Sequence, residues 1–524
     1  MLGAALSRLV RQPRSLPREP RSLARQPRSV GLRSTARQPY LLAVGVVVIA
    51  NLWSLRAALR PVAYLYDAPV HEKMVQFATN TIAAGRLPFT AWFPYLGLGS
   101  AQFMHYQSLG AVLTGLVGIF VGAATAFRLA LFLLVGLWPF CVYSSARLFG
   151  MARPCSMFAA LLSPLVVSYT GIGFERGAYS WIGGAEVWTQ LFGMWLLPYA
   201  WAFTWRAFDN PRFVWLAAGS AGLSLAFHFI CGYLAFFAIM VLFPFATGPW
   251  RGRLARAALL FGGSLAASAW VIVPLFLFEK WSAINEILAE TPYVRGYGAG
   301  QELKWLFKGE LFDARRSLAV ISVLVLCGAI AAIARWRSNA LGRAFIAMFV
   351  ACLLLSFGGT TWGPLIRLVP AHADLYFRRF SMGTQLAGIY LAGNGVVAAW
   401  HGWWRLVASF GKEEIAYLKK PAALWCFAVA LAAWSYPALS QIYRYDRSDA
   451  STINAERTAT ASLGPLLTPL VDYVREHGGG RVYPGQSNNW GQKMLIGYVP
   501  VYKYLLTQDV AESTYIVPTT SLML

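Results

Sequence analysis

The sequence predicts an α-helical polytopic membrane protein whose chain crosses the bilayer about eleven times. Three observations carry that expectation. Hydrophobic residues fill 57% of the 524 positions and charged residues only 13%, against about 45–50% and about 25% in ordinary soluble domains. The apolar residues gather in runs of roughly 15–23, the length that covers a hydrocarbon core about 30 Å thick. The basic residues, in turn, collect in short connections between those runs.

The apolar runs are 40–59, 107–122, 126–148, 156–170, 187–205, 213–229, 232–248, 256–278, 317–335, 342–357, 381–403 and 422–440. They are rich in Leu, Ala, Val and Phe and lack two-residue alternation, which argues against a β-barrel. In lipid a helix satisfies its backbone hydrogen bonds within one segment, so helices are the expected solution.

Charge assigns the sides. Five short connections, at 147–153, 206–212, 251–256, 335–343 and 405–420, hold fourteen Lys/Arg against three acids. If all twelve runs crossed, with the N-terminus inside, every one of these would lie outside, inverting the positive-inside rule. Reading 107–122, with Gly110, Gly115 and Gly118, as a half-helix on the outer surface returns all five to the cytoplasm. The topology is then N-terminus in, eleven spans, C-terminus out.

The net charge of +23 therefore reads as a topology signal, and nucleic acid is not an expected partner. Residues 1–39 carry nine Arg and one Glu, and the motif Arg11-Gln12-Pro13-Arg14-Ser15 returns as Arg25-Gln26-Pro27-Arg28-Ser29. So much Pro and charge predicts a disordered cytoplasmic tail that meets anionic membrane lipid. The first apolar run is too long for a typical signal-peptide core and reads as a retained span. The six Cys are scattered, without CxxC spacing, so neither a disulfide framework nor a zinc site is indicated. No cofactor motif is present; a divalent metal is compatible with the carboxylates but nothing indicates one.

Residues 40–440 form the predicted transmembrane domain, with outer segments at 60–125, 171–186, 279–316 and 358–380. Those four hold eleven Asp/Glu and three of the six His, so groups able to do chemistry concentrate on one face. Residues 441–524 are more polar and read as a small extracytoplasmic domain, α/β or β-rich, with short strands and Gly-rich turns such as Gly478-Gly479-Gly480. At about 84 residues it is small for a domain and reads as incomplete.

The first outer segment runs Tyr66-Asp67-Ala68-Pro69-Val70-His71-Glu72-Lys73, then Gly85-Arg86-Leu87-Pro88, Trp92-Phe93-Pro94-Tyr95, Gly97 and Gly99. Asp67 and His71 are four apart, which on a helix puts both on one face within hydrogen-bonding reach. A partly desolvated carboxylate near the membrane surface suits a general base or a cation ligand. An Asp before a helix is equally a common N-cap, and the residues alone leave both readings open.

This arrangement resembles the first outer loop of GT-C-fold membrane glycosyltransferases, through an Asp soon after the first span followed by the G-x-L-P…W-x-P…G-x-G pattern. It is most similar to the bacterial group labelled "6-pyruvoyl-tetrahydropterin synthase-related, membrane" and to YfhO-like proteins, a label that implies no pterin chemistry here. The likeness covers roughly 40–440 in layout and is specific over 64–106. It implies a polyprenyl-phosphate-linked sugar donor, a cell-envelope acceptor and a place in the bacterial plasma membrane. It also implies Asp67 as the base, with His71 or Glu72 assisting. Phe103-Met104-His105-Tyr106-Gln107 departs from the more Tyr- and Pro-rich stretch of that group.

Glu175 and Arg176 in the second outer segment read as a solvated loop or as a second wall of the cavity. Arg378-Arg379 precedes a span on the outer side, against the positive-inside bias, and a planar guanidinium suits phosphate; lipid headgroup contact is the plainer reading. His372 nearby is a weaker candidate. His228, at an outer helix end, is more often a packed side chain than a ligand. Glu279, Lys280, Glu286 and Glu290 read as surface charge. The competing function is a non-catalytic transporter of lipid or polysaccharide, or a membrane scaffold. Transport would call for ionisable residues deep in the spans or an inverted repeat, and neither is evident. The chain carries no sign of its oligomeric state.

Overall fold

The computed structural model describes residues 38–62, 68–97, 99–105, 107–169, 188–278, 291–409, 413–478, 480–484 and 495–513. Compactness divides the chain between Pro39 and Tyr40, and the helical bundle belongs to the second unit. The tail expected at 1–39 lies outside the described residues except for its last two.

The expected apolar runs fall largely on helices, but 156–170 leaves its helix after Leu165, where Val167 and Tyr169 N–H bond Phe312 O and Glu310 O. The main helices are α1 (Gln38–Leu55), α2 (Ala68–Ala83), α3 (Leu109–Val121), α4 (Ala123–Gly136), α5 (Trp138–Phe149) and α6 (Arg153–Leu162). They continue as α7 (Trp188–Asp209), α8 (Val214–Phe227), α9 (Phe229–Leu242), α10 (Trp250–Leu277), α11 (Ala299–Lys308), α12 (Val320–Ala334) and α13 (Ala340–Ser356). The chain closes with α14 (Ser381–Ser409), α15 (Glu413–Glu476), the antiparallel strands β1 (Leu495–Ile496) and β2 (Val499–Pro500), and α16 (Val501–Thr507). The protein is α-helical, with the apolar helices of a membrane protein.

By length and composition, Pro39–Leu59, Trp250–Leu277 and Lys420–Glu476 could each cross a bilayer alone. By the same measure the pairs α4/α5, bent by 52°, and α13 with the segment Gly358–Leu368, bent by 79°, each fit a broken span or a re-entrant loop. Only 22% of the most apolar stretch of α10 is buried, and Phe276 and Leu277 are exposed, as expected of a side-chain belt facing lipid tails.

The bend between α4 and α5 has a chemical cause. Pro139 stands in the first turn of α5, so the carbonyl of Val135, four residues earlier, loses its α-helical donor. Asn51 of α1 supplies the missing donors, its Nδ2 bonding Val135 O at 2.9 Å and Gly136 O at 3.0 Å. A break in the backbone ladder is tolerated because a neighbouring helix satisfies it.

The first sixteen residues of α14 are nearly all buried, which places this helix at the centre of the bundle. It crosses α12 at small residues. A Cβ on Gly328 would fall 1.9 Å from Leu391 O, and one on Gly395 would fall 1.9 Å from Leu324 O. Only glycine permits backbones to approach this closely, and van der Waals contact is what joins helices where lipid is as apolar as leucine.

In the segment expected to lie outside, the glycines of α3 are contact residues. A Cβ on Gly115 would lie 2.7 Å from Ala78 Cβ, and one on Gly118 would lie 2.4 Å from Thr79 Oγ1. The half-helix expected at 107–122 is thus a 13-residue helix seated against α2.

Beyond 440 the chain differs in detail from the strands and turns expected there. α15 passes 441 without interruption and ends at Glu476. The ribbon β1–β2 comes next, and a small apolar cluster of Val471, Ile496, Val499, Leu505 and Val510 joins the helix end to α16.

Candidate functional site

The site is built on the start of α2. Pro69 occupies its first turn, where a missing N–H costs nothing and the fixed φ favours helix. His71, Met74, Val75 and Ala78 are buried, the i, i+3, i+4, i+7 stripe of a core-facing helix. His71 stacks on Trp188 at 5.8 Å between ring centroids, and Trp188 stacks on Phe127 at 5.0 Å. Burial pushes the Glu72 carboxyl up to about 7, with Arg128 and Lys73 pulling the other way. A carboxyl poised there changes charge near neutral pH, the property of a general acid or base.

A second group lies at the turn Phe377–Phe380 before α14. Arg378 and Arg379 are only 8% and 5% exposed, although arginine is among the residues least often buried. Arg379 Nη1 lies 3.3 Å from His228 Nε2, and its guanidinium sits 5.4 Å from the Tyr376 ring centroid. His228 is the junction residue between α8 and α9, and its Nδ1 accepts from Cys231 N–H at 3.4 Å. A neutral imidazole has one bare nitrogen, so His228 accepts from Cys231 or from Arg379, one at a time. His228 thus stands both at the N-cap of α9 and against an arginine.

Arg295, which the sequence reading did not single out, packs beside the turn that carries this group. Gly358, at φ 60, is crowded by Arg295 O and by Phe377 Cβ, and a Cβ on Gly359 would lie 3.7 Å from Arg295 Nε. A signal for it exists. Arg295 stands between Val294 and Gly296 in a segment expected to lie outside, against the same charge bias that marks Arg378.

α7 connects the two groups. Trp188 opens it and holds His71; one and a half turns later a Cβ on Gly193 would lie 2.9 Å from His228 Cβ. Five residues at 1.5 Å rise each separate these contacts by about 8 Å along one helix wall.

The chain matches no family model. It matches no curated protein either. Among solved structures it is similar to the Archaeoglobus fulgidus oligosaccharyltransferase in the apo form, at 13% identity and TM-score 0.48, over 80% of this chain and 56% of that one. It is similar to the arabinofuranosyltransferase AftD from Mycobacteria at 15% identity and TM-score 0.48, over 85% of this chain and 30% of that one. It is similar to ArnT from Cupriavidus metallidurans bound to undecaprenyl phosphate at 15% identity and TM-score 0.49, over 90% and 89%. The chain thus spans about half the length of the oligosaccharyltransferase and less of AftD. All three scores lie below 0.5, and the chemistry of the site is read from its own residues.

Of the residues expected to form a site, His228 and Arg379 meet, Arg378 shares the turn of Arg379, and His71 and Glu72 stand on α2, which meets α7 through His71 and Trp188. His372 lies apart on a partly exposed turn, Val369–Asp374, and makes no side-chain bond to them. Asp67, Glu175 and Arg176 lie outside the described residues. Among the described residues no group of three or more His, Cys, Asp or Glu could hold a metal ion.

A further carboxyl is buried beside this region. Glu302 of α11 is 0% exposed and neither oxygen has a hydrogen-bond partner among the described residues. Burial raises it to about 8, so it is mostly protonated at neutral pH.

Proposed function

We propose that this protein is a GT-C-type glycosyltransferase of the bacterial plasma membrane that takes a sugar from a polyprenyl-phosphate donor at the outer face. The observation that carries the reading is the pair of buried arginines, Arg378 and Arg379, beside His228. A planar fork of donors in a water-poor setting is suited to a phosphate, whose bonds to guanidinium are charge-assisted and bidentate.

In this reading the acceptor hydroxyl gives its proton to a carboxylate as its oxygen bonds the anomeric carbon. The bond from that carbon to the phosphate oxygen breaks, and the lipid phosphate leaves with the electron pair. Arg378 and Arg379 stabilise the charge that develops on the leaving phosphate. Asp67 is the base, and Glu72 and His71 assist from the first turn of α2. The N-terminus is cytoplasmic, eleven spans cross, and the C-terminal segment is outside. The acceptor is a component of the cell envelope.

Purified protein incubated with a panel of polyprenyl-phosphate sugars tests this, with glycosylated product read by mass spectrometry. Transfer by the wild type that falls in Arg379→Gln supports the reading. No transfer from any donor, with lipid moved across liposomes instead, would establish the transporter.

A further inference from the structure

The C-terminal end of the chain returns to the helix that carries His71 and Glu72. Lys73 Nζ, on a side chain only 2% exposed, pairs with Asp509 Oδ1, 436 residues away in sequence. Lys73 also donates to Gln76 Oε1 at 3.0 Å and lies 4.1 Å from the Tyr95 ring centroid. The Tyr95 hydroxyl completes the group by donating to Asp509 Oδ1 at 2.6 Å.

The contact is held from several directions. Asp509 adopts φ 64 in the turn after α16, its N–H bonded to Leu506 O at 3.1 Å; Asp is among the few residues that accept left-handed backbone. Arg481 donates to Pro94 O at 2.7 Å and to Gly97 O at 2.6 Å, gripping the loop whose ends pair at Phe93 and Ser100. Val482 N–H bonds Ala511 O and Ser513 N–H bonds Val482 O, both at 3.0 Å. Arg475 Nη2 reaches Gln508 O at 2.8 Å.

We propose that residues 480–484 and 495–513 are a clamp on the first outer segment, and that Lys73 and Asp509 are positioning residues for His71 and Glu72. The inference rests on the role proposed for α2 in sugar transfer. A cation inside the protein costs free energy unless paired, so Asp509 determines whether Lys73 sits in its place. A helix is stiff over one turn, so the placing of Lys73 carries to its neighbours Glu72 and His71.

Charge acts in the same direction. Burial lowers Lys73, and Asp509 opposes that. Burial raises Asp509, but the bonds from Lys73 and Tyr95 outweigh it, with Arg475 adding to them, and the carboxyl stays below its ordinary value. The charged groups facing Glu72 are Arg128 of α4 and Lys73. Removing the positive charge at 73 therefore moves Glu72 further up, and an ionised Glu72 then needs a higher pH.

The test compares the whole wild-type protein with Asp509→Asn and with Lys73→Met/Asp509→Asn, by backbone hydrogen exchange over 70–83 and by the pH profile of sugar transfer. Asp509→Asn is expected to speed exchange about tenfold, the effect of losing roughly one opening-energy step of 1.4 kcal/mol. It should also lower kcat with KM for the lipid donor unchanged. The double variant, with no buried charge left to pair, should regain slow exchange and, having lost the positive charge at 73, displace the acid limb upward. A merely structural ion pair would alter exchange and leave the limb in place. Unchanged exchange over 70–83 in Asp509→Asn overturns the clamp, even if the wild type proves to transfer no sugar.

Discussion

Arg379 and His228 meet with 3.3 Å between guanidinium and imidazole nitrogens, joining the turn before α14 to the junction of α8 and α9. The pair fixes one wall of the site from two distant parts of the chain. It also predicts that arginine and lysine are not equivalent at 379. Arg379→Lys keeps the charge and loses the planar fork. Affinity for a polyprenyl phosphate should fall about tenfold in Arg379→Lys and on the order of a hundredfold in Arg379→Gln, from the loss of charge-assisted bonds worth about 1.5–3 kcal/mol. Titration of the purified protein with the lipid phosphate checks this; equal affinity in all three proteins contradicts it.

Glu302 predicts a stability gain. Its folded value, about 8, lies above the ordinary 4.5. Below the ordinary value both states are protonated and nothing is lost. As pH rises from 4.5 towards 8 the unfolded chain ionises first, and stability falls by about 1.4 kcal/mol per unit. Glu302→Leu should therefore be more stable than wild type, increasingly so from about pH 5 to about pH 8 on this linkage. Thermal melts across that range measure it, and parallel curves for the two proteins would contradict it.

Glu72 predicts a titration in the rate. With its carboxyl at about 7, the ionised form accumulates as pH rises through neutrality. Transfer should climb over that interval if Glu72 accepts a proton, and Glu72→Gln should flatten the climb. The pH–rate profile of the two proteins is the measurement.

Gly193 predicts a steric effect. A methyl group there would lie 2.9 Å from the Cβ atoms of both His228 and Cys231, closer than packed carbons tolerate. Gly193→Ala should cost about 1–3 kcal/mol, as overpacked cores do. It should also weaken lipid phosphate binding through the displaced His228. A melt and a binding titration test the two effects separately.

Much of the fold was legible because a chain in lipid satisfies its backbone within helices, so long apolar runs announce them. Arg378 and Arg379 drew attention as a basic pair in a segment expected to lie outside. Arg295, in another such segment, stands alone, which hides it. The stretch 441–476 was harder, since polarity reports exposure to water and not secondary structure; α15 continues through it. Glu302 lies in the same loop as Glu279, Glu286 and Glu290, which read as surface charge, and no local pattern distinguishes a buried carboxyl from an exposed one. The pairing of Lys73 with Asp509 is set by tertiary folding alone, and no spacing in the sequence announces it.

The most direct test of the central claim is transfer of sugar from a polyprenyl-phosphate donor by purified wild-type protein and by Asp67→Asn. Efficient transfer by the wild type with a loss of about a hundredfold or more in the variant, the scale of general-base catalysis, is the predicted result. Undiminished transfer by Asp67→Asn, or none by the wild type from any donor, would contradict the claim.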